Sequence, residues 1–262
     1  SGQVHLYTTN GNITQGAGNH ITATTLYVGA SNGSVQLPGD NAVNTLAGYS
    51  YASGGTFQFK NAAALTVGSV SDGFGSFSGI NSNGSLQVDT TSGDLTIASY
   101  VSSGTTMTLR ALGAGSSLFN GTYLSASGLL TLSGAKDVVL NGFPSVYGNG
   151  GVSITAVTGN VDLGTAYVNT YHAPISVTAG GSILGSANLW SGGTVNGSIQ
   201  LSASAGGVSI GSASSNGSYA PLASGNIQIV AAGDVVVGGS LNTYGTSAYD
   251  GSPALAGGSV MV

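Results

Sequence analysis

The chain has almost no charge. Of 262 residues, three are Lys or Arg and eight are acidic, all of them Asp. Charged residues are 4% of the chain, against about 25% in ordinary globular proteins. The net charge is −5 and the pI ≈ 4.5. No basic patch can be assembled, so nucleic acid and anionic membranes are not expected partners. Cysteine is absent, which excludes disulfides and thiolate metal sites. Glu is absent and Gly, Ser, Thr, Asn and Val dominate, which disfavours long helices. No run of 18 apolar residues exists, so no membrane-spanning helix is expected. "SGQVHLYTT" at the start has neither a charged nor an apolar leader region, so no signal peptide is read there.

Apolar residues are 41% of the chain, enough for a core, and Gly numbers 46. Gly and Pro together fall below the roughly 25–30% of low-complexity disordered chains. The apolar residues are periodic. Apolar-x-apolar phrases after Gly- or Ser-rich junctions start at Val4, Leu26, Phe57, Leu86, Met107, Leu130, Val152, Ile175, Ile199, Ile227 and Val260. Successive starts lie 21 to 33 residues apart. A second phrase follows at Ile13, Val35, Leu65, Leu95, Leu118, Val138, Val161, Ile183, Val208 and Val235. A third, weaker one shows at Val70, Val101, Leu124, Val146, Val168, Leu189 and Leu241.

Period-two alternation turns one apolar set inward. Three short strands per unit, repeated about ten times, predict an all-β, right-handed parallel β-helix (a β-solenoid). One coil cannot bury its inner face alone, but stacked coils share a continuous core. Residues 1–262 read as one solenoid segment, expected to be an interior piece of a longer rod. Like charges stacked about 4.8 Å apart would repel, and ladders of Gln, Thr and Ser avoid that cost. The junctions "SGD", "AKD", "TGN" and "AGD" read as corners, where Gly allows positive φ and Asn, Asp and Ser bond the local backbone.

"GDLTI", "GNVDL", "GGSIL", "GGVSI" and "GDVVV", each after a strand such as "SIQLSA" or "PISVTA", resemble filamentous haemagglutinin repeats of Gram-negative secreted exoproteins. The resemblance implies secretion by an outer-membrane partner or as an autotransporter passenger, display on the cell surface, and adhesion. A host or neighbouring-cell surface or a glycan, and end-to-end or lateral self-association, are the implied partners.

No catalytic, cofactor or metal site is expected. Asp94, Asp137 and Asp234 fall at corners, and Asp40, Asp72 and Asp250 in variable segments as solvated residues. His5, His20 and His172 share no ligand spacing. A polysaccharide-acting enzyme on the same fold would need a cluster of ionisable groups. An ice- or mineral-binding face would need regular Thr columns, and neither pattern is present. Asn12, Asn32, Asn83, Asn120, Asn196 and Asn216 match Asn-x-Ser/Thr, read here as corner chemistry.

Three sets of residues stand out. Residues 38–54, 71–84, 212–225 and 242–258 are the long segments, expected to emerge at one corner and to carry ligand contacts. Tyr49, Tyr51, Phe74, Phe77, Tyr219, Tyr244 and Tyr249 lie in them. Tyr100, Tyr123, Tyr147, Tyr167 and Trp190 recur in the third strand segment and predict an aromatic ladder. Lys60, Asp89 and Arg110 each lie three residues beyond a first-strand start. They predict an outward charge ladder with Asp89 between two cations.

Overall fold

In the computed structural model the chain is a parallel β-solenoid of about ten coils. It describes residues 2–142, 144–171, 173–193, 197–217, 225–243 and 259–262. Among these there is no helix, and every strand pairing is parallel except one two-stranded hairpin. Strands stack in three columns. The inward residues of the first are Ile13, Val35, Phe57, Leu86, Met107, Leu130, Val152, Ile175, Ile199, Ile227 and Val260. The second runs from Leu65 through Leu95, Leu118, Val138, Val161, Ile183 and Val208 to Val235. The third runs from Leu6 through Val28, Gly48, Ile80, Val101, Leu124, Val146, Val168, Leu189 and Ala213 to Leu241.

Alternation explains the columns. Met107–Ala111, Leu130–Gly134, Val152–Ala156 and Ile175–Ala179 each bury their first, third and fifth residues and leave the other two half-exposed. The buried residues of all three columns form one continuous apolar core. Outward side chains match across coils, as Gln58 with Gln87 and Thr108 with Thr131.

The corners are built from side chains that reach the next coil. Asp94 Oδ1 accepts the Ser117 N–H, Asp137 Oδ1 accepts that of Asn160, and Asn160 Oδ1 accepts that of Ser182, each at 2.8 Å. Burial pushes the Asp137 carboxyl up, but the Asn160 N–H, the Lys136 ammonium and the Ser117 hydroxyl outweigh it and hold the carboxyl below its ordinary value. Asn41 and Asn61 are buried at a first-column corner. Their amides bond backbone on their own and adjacent coils, including Lys60 O from Asn41 and the N–H and O of Val43 from Asn61. Ser50, Ser82, Ser191 and Ser215 donate to buried carbonyls at the corner after the third column. These buried amides and hydroxyls are tolerated because they are paired. Asn120 is fully buried and donates to Thr122 O at 3.0 Å, which withdraws this sequon from any modifying enzyme in the folded rod. Asn196 lies outside the described residues.

The N-terminal coils depart from the expected phasing. Val4 and Leu26 do not begin first-column strands; they pair with each other, Leu26 pairs with Leu46, and Leu46 pairs with Val67 of the second column. Ile13 and Val35, read as second strands, occupy the first column instead. The cause is fusion. Gln3–Thr8 and Thr22–Ala30 run through the second and third columns without a corner. Val35–Ser50 passes through all three, with a register shift between Leu37 and Asn41.

The long segments also differ from expectation. Most of 38–54 is strand rather than loop. Val70 does not belong to the third column, where Ile80 stands in its place. Val70 lies in the antiparallel hairpin Ser69–Asp72 and Gly75–Ser78, which leaves the rod between the second and third columns. The extra residues therefore do not share one corner: those after Leu37 enter within the first-column strand, at the register shift between Leu37 and Asn41. Ser212–Gly217 is a third-column strand. Residues 218–224 and 244–258 lie outside the described residues.

Candidate functional site

The outward positions beside the third column carry most of the Tyr residues of the described chain. His5 and Tyr7 flank Leu6, Tyr27 precedes Val28, and Tyr49 follows Gly48. Tyr100, Tyr123 and Tyr167 precede Val101, Leu124 and Val168, while Tyr147 and Trp190 follow Val146 and Leu189. Because strands stack in register, these positions form one stripe along one face.

In the central coils the stripe is a ladder. Tyr100 stacks on Tyr123 with centroids 5.3 Å apart and planes 21° apart. Tyr123 and Tyr147 follow at 5.2 Å and 39°, and Tyr147 and Tyr167 at 6.1 Å and 60°. The growing tilt has a cause: Tyr147 sits after its inward residue and its neighbours before theirs, so the ladder steps diagonally. Burial and the nearby Tyr147 hold the Tyr167 phenol above its ordinary value. Trp190 does not extend the ladder. It meets Tyr171 edge-on at 5.8 Å and folds over Gly192, where a β-carbon would lie 2.3 Å from Trp190 Cζ2.

At the N-terminal end the hairpin folds back across the stripe. Gln3 Nε2 donates to Ser71 O at 2.7 Å, and His5 Nδ1 meets Asp72 Oδ2 at 2.6 Å. Asp72 Oδ1 accepts the N–H groups of Phe74 and Gly75 at 2.8 and 3.1 Å, which shapes the hairpin turn. The Asp72 side chain is only 7% exposed, where a solvated loop residue was expected. The hydrogen bond from His5 holds its carboxyl below the ordinary value; desolvation opposes this, and the two backbone N–H groups add to it.

Aromatic rings fill the interface. Phe77 stacks on Tyr27 at 3.7 Å and 23°. The His5 ring lies 4.6 Å from Tyr27 and 4.8 Å from Phe74. Tyr49 and Tyr51 stack at 4.2 Å and 22°. Tyr27, Ala47 and Val70 form a small buried cluster of their own. Burial, reinforced by the Tyr49 hydroxyl, holds the Tyr27 phenol far above its ordinary value, so it stays protonated. A groove of ≈ 380 Å³ opens here, lined by Tyr27, Gly48, Tyr49, Tyr51, Phe77, Ser78, Gly79 and Asn81.

Four of the residues singled out in the long segments, Tyr49, Tyr51, Phe74 and Phe77, thus converge. Tyr219, Tyr244 and Tyr249 lie outside the described residues, as do His172 and Asp250. His5, Tyr7, Tyr27 and Asp72 join the cluster without having been foreseen. A signal existed: 22 residues separate His5 from Tyr27 and Tyr27 from Tyr49, close to the ladder spacing, but the phasing of these coils concealed it.

Lys60, Asp89 and Arg110 occupy one register position on successive coils. Asp89 is not shared between two cations. Arg110 Nε and Nη2 each bond one Asp89 oxygen at 2.8 Å, and Gln87 donates to Oδ2 at 2.6 Å. Lys60 Nζ turns away to Asp40, 2.8 Å off. The planar guanidinium fits the carboxylate with two bonds and leaves the lysine without an acceptor there. Among the described residues no three His, Asp or Glu side chains group to hold a metal, and no helix is long and apolar enough to cross a membrane.

No family model matches this chain, and neither a curated protein nor a solved structure aligns with it significantly.

Proposed function

We propose that this chain is a rod segment of a secreted bacterial surface exoprotein of the filamentous haemagglutinin type, and that it works by contact rather than by catalysis. The observation that carries the reading is the first column. Eleven apolar residues from Ile13 to Val260 stand in one parallel register. Each coil adds about 4.8 Å of length and extends the shared core, so the chain gains reach from every repeat. The corner phrases "GDLTI", "GNVDL" and "GDVVV" support the haemagglutinin type. The outward aromatic stripe supports contact, since those rings contribute nothing to the rod core. Its partner is a glycan-bearing surface or a second copy of the rod, and an outer-membrane partner exports it.

The test is made on intact source cells. Antibody raised against this segment should label the unbroken cell surface, and in-frame deletion of residues 2–262 should reduce adherence. Antigen confined to the cell interior, with adherence unchanged by the deletion, would overturn the reading.

A further inference from the structure

We infer that the groove beside the hairpin binds one uncharged pyranose ring of a surface glycan. This deepens the contact reading and rests on it.

Three features of the groove select the ligand. First, it offers rings already in place. Tyr51 is 46% exposed and is backed by Tyr49 at 4.2 Å, so little freedom is lost when a ligand packs on it. The negative face of such a ring attracts the weakly positive C–H bonds on the apolar side of a sugar. Second, the groove keeps polar groups for an uncharged partner. Asn81 Oδ1 accepts the Ser102 hydroxyl at 2.6 Å, which orients the amide and leaves its N–H groups for a sugar hydroxyl. An aliphatic ligand would strand that amide, at the cost of its desolvation. Third, no ionised side chain lines the groove. The adjacent Asp72 carboxylate is spent on His5 and on holding the hairpin. An acidic sugar or a charged peptide would lose hydration and find no counter-charge.

The floor keeps the space open. Gly79 has φ +71°, and a β-carbon there would lie 1.9 Å from Tyr100 O; at Gly48 one would lie 2.3 Å from Val28 O. Neither position admits a side chain without moving backbone. The groove's ≈ 380 Å³ falls within the size range of small-molecule sites, about 300–1,000 Å³.

Saturation-transfer NMR on the purified chain tests this. The probes are cellotriose, maltotriose and N,N′,N″-triacetylchitotriose, all uncharged, with trigalacturonate as the anionic control. At least one neutral probe should receive saturation from the tyrosine protons, and trigalacturonate should not. Tyr51→Ala and Asn81→Ala should each weaken binding by about tenfold, the upper end for one contact. Tyr123→Ala, in the ladder, should leave it unchanged. The inference fails if no neutral probe binds, if trigalacturonate binds as well, or if Tyr123→Ala costs as much as Tyr51→Ala. Binding in vitro is independent of display. A chain that binds sugar but never reaches the cell surface would sink the rod reading alone, and a displayed chain that binds none would sink the groove.

Discussion

The coils from Leu86 to Ala179 and those before Ser82 solve the same problem differently. The central coils repeat every 21 to 23 residues, with five-residue first-column strands and short strands in the other two columns. At the corners, the oxygens of Asp94, Asp137 and Asn160 each accept a backbone N–H from the next coil. The N-terminal coils fuse strands, shift register once and extrude a hairpin. Uniform coils stack well and present a uniform surface, on which Tyr100, Tyr123 and Tyr147 cover one another. Irregular coils give up that uniformity and gain relief: an overhang, a half-buried His–Asp pair and a groove. Regularity supplies length, and its local failure supplies a site.

The comparison breaks if core and overhang respond alike to truncation. Leu109→Ala, at a fully buried central position, should cost about 2–5 kcal/mol in urea unfolding. Phe74→Ala, at 82% exposure on the hairpin, should stay within about 0.5 kcal/mol. At the joint between the regions, Gly79→Ala should destabilise by about 1–3 kcal/mol from its positive φ alone, with the contact to Tyr100 O adding to it. Thermal unfolding would show this, and an unchanged melting temperature would mean the joint yields freely.

Asp72→Asn sharpens the comparison at smaller scale. It should raise the rate of proteolytic cleavage within residues 69–78 while the central coils unfold as before. The same contact carries a pH signature. A carboxyl held below its ordinary value in the fold contributes stability above the ordinary carboxylate range, and that contribution is lost as pH falls through the lowered value. Hairpin amides should therefore stay protected from hydrogen exchange through mildly acidic pH. Protection should drop only below about pH 4. The ladder falls between core and overhang: Tyr123→Ala should cost about 0.5–1.5 kcal/mol per stacked pair beyond lost burial, and a null result would reduce the ladder to decoration.

Much of the fold was legible because one physical signal repeats. Inward apolar pairs such as Leu86 and Val88, or Leu130 and Leu132, recur at near-constant spacing, and a parallel stack is what makes such spacing useful. The phase of the first two coils was not legible. An apolar-x-apolar phrase looks the same on every face, and the corner that would identify the face is absent where Thr22–Ala30 and Val35–Ser50 run straight through. The ladder could be read from its spacing. The hairpin contacts could not, since His5 and Asp72 are 67 residues apart and meet only because the hairpin turns back along the rod. The charge column was readable by register, but the choice of Arg110 over Lys60 by Asp89 depends on guanidinium geometry, which spacing does not encode.

The stacked register itself is open to one direct measurement. The chain has no cysteine, so spin labels can be placed in pairs without background. Gln58 and Gln200 lie six coils apart in the same outward position of the first column, and Gln58 and Gln228 lie seven apart. At about 4.8 Å per coil, double electron–electron resonance should give separations near ~29 Å and ~34 Å between backbone positions. Narrow distributions that lengthen by one coil spacing from the first pair to the second are the expected result. Broad distributions, or separations that do not grow with the number of intervening coils, would contradict the stacked rod.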